Sequence, residues 1–94
     1  MINVDYLMAA AREQLPNILT IYESFQEKKP VMLLDIQEQR IYVYPSAEFK
    51  EELSEKSQQT LEDQYGRAVQ ENKVVVFVRD NIQRRLVSFS MELG

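Results

Sequence analysis

Apolar residues at Val4, Met8, Ala11, Leu15, Ile18, Tyr22 and Phe25 recur at alternating steps of four and three, which places them on one stripe of an amphipathic helix. Asp5 suits the N-cap. Pro16 lies inside the stripe without shifting its phase, so the pattern predicts one helix kinked there or two helices in near-continuous register. Ile2 to Val4 has room for a short N-terminal strand. The polar run Gln26 to Pro30 ends the helix, because the residue before proline disfavours the α region. The period then changes. Val31 to Ile36 and Arg40 to Tyr44 are β-rich runs on either side of the polar Gln37-Glu38-Gln39, which reads as a hairpin.

Pro45-Ser46 closes that hairpin and caps a second helical region with Glu48, Glu51 and Glu52 in its first turns, where the positive helix end favours them. Phe49, Leu53, Leu61, Tyr65 and Ala68 form its stripe. Ser54 to Thr60 carries no large apolar side chain, so a break is expected there, with a restart at Thr60 and Asp63. Val74 to Val78 is apolar on both faces, the mark of a strand inside a sheet. Arg79 to Gln83 supplies turn chemistry, and Arg84 to Met91 returns as an antiparallel partner. The resulting expectation is a single α+β domain over residues 1–94. It has two layers, the order α-β-β-α-β-β and an antiparallel sheet. The hairpins also match each other 45 residues apart, at Asp35 and Asp80, Arg40 and Arg85, Ile41 and Leu86, and Tyr44 and Phe89. Shared alternation and a polar turn suffice to explain that match.

Composition narrows the chemistry. At 45% apolar and 28% charged residues, the chain has the make-up of an ordinary folded protein. A net charge of −4 works against non-specific attraction to phosphate backbones or anionic lipid. The absence of cysteine and histidine removes thiolate chemistry, disulfides and the usual zinc ligands. No carboxylate, hydroxyl or lysine pair has the spacing of acid–base or nucleophilic catalysis, and two glycines cannot build a phosphate loop. We therefore expect no enzyme, no catalytic residues, no cofactor and no metal site, although adjacent hairpin turns would bring Asp35, Glu38 and Asp80 together. With no basic leader and no long apolar run, a cytoplasmic location without membrane contact is expected.

Two sets of residues remain as candidate contacts. Arg79, Arg84 and Arg85 are the one basic concentration and would meet an anion or nucleic acid. Tyr42, Tyr44, Phe77 and Phe89 are expected on a sheet face left open by the helices, buried against a second copy or against a ligand.

The first half also carries Ile2-Asn-Val-Asp-Tyr6, Ala11-Arg-Glu-Gln-Leu15, Lys29-Pro-Val-Met-Leu-Leu34, Ile41-Tyr-Val-Tyr-Pro45 and Ser46-Ala-Glu-Phe49. In these pieces, over about residues 2–53, it resembles the Phd/YefM antitoxin family. The resemblance implies a dimeric DNA-binding domain, a DNA contact at Arg12 and a C-terminal segment that neutralises a toxin-like protein partner. Leu34-Asp35 stands where that family usually carries Thr-Arg, and Val74 to Met91 reads as an integral hairpin instead of a free tail. Together these observations lead to a non-enzymatic regulatory or protein-interaction domain, homodimeric and antitoxin-like. The alternative is a small domain of permuted ferredoxin-like type that binds a small ligand or protein on its sheet face.

Overall fold

The computed structural model describes residues 4–51 and 54–93. The expected strand at Ile2 to Val4 and the stripe position Leu53 fall wholly or partly outside these residues, and Val4 itself is helical. Two helices come first, α1 (Val4–Glu13) and α2 (Leu15–Ser24). Gln14 separates them, and Pro16 sits in the first turn of α2, where its missing N–H has no intrahelical partner to lose. The hairpin β1 (Val31–Asp35) and β2 (Arg40–Tyr44) follows. Next come α3 (Ala47–Glu51), capped by the Ser46 hydroxyl accepting from the Phe49 amide at 3.1 Å, and α4 (Glu55–Glu71). The restart lies earlier than the sequence suggests. Ser54 caps α4, because its hydroxyl accepts from the Ser57 amide, and Thr60 is an interior position. Asn72 takes the left-handed conformation that ends α4 (φ 53°), and β3 (Lys73–Asp80) and β4 (Arg85–Glu92) complete the chain.

The α+β class and the helix, hairpin, helix, hairpin order match the expectation; the sheet and the layering differ from it in detail. The strand order is β2-β1-β3-β4, with both hairpins antiparallel and the central β1–β3 pair parallel. The reason is burial. The first strand of each hairpin is apolar on both faces, so both belong in the centre, and since each enters from a helix at the same end they run the same way. A centre with two apolar faces needs cover on both. Leu7, Ala11 and Ile18 of α1 and α2 pack with Met32, Leu34, Val74, Val76 and Val78 on one face. Phe49, Leu61 and Ala68 of α3 and α4 pack with Val31, Leu33, Tyr42, Tyr44 and Val75 on the other. The helices thus enclose the sheet between two separate cores.

Each half repeats the other across this sheet. Gln39 (φ 52°) and Arg84 (φ 51°), 45 residues apart, are both left-handed turn residues, and each follows an aspartate that accepts hydrogen bonds from its own turn. Asp35 shares a face with Leu33, whereas Asp80 shares the opposite face with Val78. Exchange of faces between two parallel central strands is the signature of a pseudo-twofold axis in the sheet plane between β1 and β3.

Candidate functional site

Both hairpin turns lie at the same end of the sheet, because β1 and β3 are parallel, and their side chains interlock there. Asp35, fully buried, accepts from the Glu38 amide (2.9 Å), Arg79 Nε (2.7 Å) and Asn81 Nδ2 (3.0 Å). Asp80 accepts from the Ile82 and Gln83 amides and from Gln37 Nε2 at 2.7 Å, while Gln37 Oε1 accepts from the Asn81 amide. Burial pushes the Asp35 carboxyl up, but the Glu38 amide, Arg79 and Asn81 outweigh it and hold it below its ordinary value of 3.8. The two aspartates face opposite sides of the sheet and, among the described residues, are linked only through Gln37 and Asn81 of the opposing turns. Their oxygens are engaged by amides and a guanidinium, and among the described residues no group of three or more acidic, His or Cys side chains is placed to hold a metal ion.

The basic candidates divide. Arg79 is the ion-pair partner of buried Asp35 and is itself largely covered, so it belongs to the clamp that joins the hairpins. Arg84 and Arg85 are exposed at the β3–β4 turn, near the largely exposed Ile82, and Arg12 is exposed on the last turn of α1. None of these three pairs with a carboxylate among the described residues.

The aromatic candidates divide as well. Tyr42 and Tyr44 are buried, because α3 and α4 cover the face that was expected to be open. Tyr44 meets Phe49 and Tyr65 edge-on at 5.3 and 5.9 Å, and burial, followed by Glu62 and Tyr65, raises the pKa of its phenol. Phe77 shares this face, but Phe89 lies opposite Val76 and so belongs to the α1–α2 face. The four aromatics therefore form no single surface.

Besides a half-polar cavity of about 410 Å³ between α1 and the first hairpin turn, lined in part by Tyr6, Ala10, Gln14 and Ile36, an accessible apolar site lies where α4 stops short of β4. A cavity of about 130 Å³ opens there, lined by Leu33, Phe49, Leu61 and Phe77, with the Ser57 and Thr60 positions of α4 on one side and half-exposed Leu86 on the other. Beside it runs β4, eight residues long and last in the sheet. The Leu93 amide donates to Asn72 O (3.1 Å) and the β3–β4 register is constant, so the odd-numbered residues of β4 bond inward. The amides and carbonyls of Leu86, Ser88, Ser90 and Glu92 consequently point outward along an edge that no other described strand pairs with. Their side chains are exposed, with only serine in the middle and no proline, lysine or bulge to block pairing. The sequence reading missed this site; its trace was Leu86 on the side of β4 otherwise occupied by Ser88, Ser90 and Glu92.

Among the described residues, no helix is long and apolar enough to cross a membrane. No family model matches the sequence, and no curated protein or solved structure matches it.

Proposed function

We propose that this chain is a non-enzymatic protein-interaction domain that takes a partner strand along the open edge of β4, the adjoining cavity receiving one apolar side chain of that partner. The observation that carries this reading is an eight-residue edge, unpaired among the described residues, lying directly beside an apolar cavity. Main-chain pairing supplies affinity in strand addition and a side-chain pocket supplies selectivity. The cavity volume favours a side chain over a metabolite: pockets for small molecules span roughly 300–1,000 Å³, and this one holds about 130 Å³. The lack of histidine and cysteine supports a binding role over a catalytic one. A suitable test is titration with a synthetic ten-residue Thr-Val peptide carrying one central Phe, followed by amide hydrogen exchange. Slowed exchange at Leu86, Ser88, Ser90 and Glu92 is expected. Amides at these positions that are already protected in protein shown to be monomeric, or that stay fast at saturating peptide, would sink the reading.

A second reading, the antitoxin-like one, is favoured by exposed Arg12, Arg84 and Arg85, which engage no carboxylate among the described residues. It makes the chain a dimeric regulator that contacts DNA through Arg12, with a toxin-like protein as its partner. Binding to its own upstream DNA should then weaken as salt rises, and weaken further in Arg12→Ala. An absence of binding at low salt removes this reading.

A further inference from the structure

Resting on the strand-addition reading, we infer that the partner strand is β4 of a second copy of this chain, paired antiparallel about a twofold axis normal to the sheet and centred on Ser88. Three observations select this occupant. Such an axis keeps like faces together and pairs even-numbered residues with even-numbered ones, and these are the residues whose amides and carbonyls point outward. The same register sets Val87 against the partner's Phe89, joining the half-buried Val87, Phe89 and Met91 rows of the two α1–α2 faces. Finally, the edge carries its charges at opposite ends, Arg84 and Arg85 at the turn and Glu92 at the other end, all exposed and mutually unpaired. Antiparallel self-pairing brings Arg84 across from the partner's Glu92 twice, whereas a parallel arrangement would stack like charges. Leu86 then lies against the partner's Ser90, so the open side of each cavity is walled by the other copy.

Sedimentation equilibrium on the full chain tests the proposal, together with amide exchange by NMR. The expected result is a dimer in which the Leu86, Ser88 and Ser90 amides are slowed. Ser88→Pro removes only an outward N–H, and Ser88→Lys sets two like charges face to face at the axis; each should give a folded monomer with an unchanged far-UV spectrum. Arg84→Glu or Glu92→Arg alone should raise the dimer Kd by roughly 3- to 30-fold, and the double reversal should restore it. A protein that stays monomeric at high concentration overturns self-pairing. The Thr-Val-Phe peptide then decides separately whether the edge accepts any strand. A dimer that persists in both Ser88 variants, with the outward amides still fast, places the second copy elsewhere and also overturns the proposal.

Discussion

Asp35→Ala takes one buried carboxylate away from three donors at once: the Glu38 amide that holds its own turn, and Arg79 and Asn81 of the other hairpin. Removing one member of a buried ion pair costs ~3–5 kcal/mol. Arg79 retains some access to water, with 16% of its side chain exposed, which argues for the lower end, about 3 kcal/mol. A domain of this size commonly has only ~5–15 kcal/mol in total, so a fall in Tm of roughly 12–24 °C is expected. Asp35→Asn keeps the shape and one acceptor and should lose about 1–2 kcal/mol. The pH dependence gives an independent check. The Asp35 carboxyl titrates below 3.8 in the folded chain, so its contribution is complete above that value and disappears as pH falls through the lower folded value. Urea titrations of wild type and Asp35→Asn should therefore differ most near neutrality and converge in acid. A loss below about 1 kcal/mol for Asp35→Ala, or parallel stability–pH curves for wild type and Asp35→Asn, would refute the clamp.

Phe49→Ala empties a fully buried ring position against Tyr44 and enlarges the cavity; urea unfolding should show a loss of about 3–4 kcal/mol. Gln39→Gly and Arg84→Gly relieve a left-handed backbone at a non-glycine residue, and each should raise stability by about 0.5 kcal/mol in the same assay. Gln83 buries its Oε1 without a hydrogen-bond partner, so Gln83→Met should leave stability unchanged or increase it by up to ~1 kcal/mol, read from the thermal midpoint.

Most of the fold was legible because period and burial carry it. The stripe through Ala11 and Ile18, the doubly apolar Val74 to Val78 and the polar turns each specify an element locally. The parallel centre was written less openly, in Val31-Met32-Leu33-Leu34, a second run apolar on both faces that requires helices on both sides of the sheet. Placing both helical regions on one side of a two-layer fold led to the expectation of an open aromatic face, which put Tyr42 and Tyr44 at a surface and grouped Phe89 with them. Arg79 looked like its neighbours Arg84 and Arg85 because nothing local marks a partner 44 residues away. The open edge of β4 is a property of strand order, and strand order depends on which strands sit in the middle.

The two turns supply an internal comparison. A left-handed residue four positions after an aspartate, followed by an antiparallel exit, occurs twice in one molecule, with the aspartates facing opposite cores. Any substitution made at Asp35, Gln39 or Arg40 can be repeated at Asp80, Arg84 or Arg85 with chain length, solvent and denatured ensemble held constant. The difference between members of such a pair reports jointly on the core each turn faces and on the four turn residues that differ, Ile36 to Gln39 against Asn81 to Arg84.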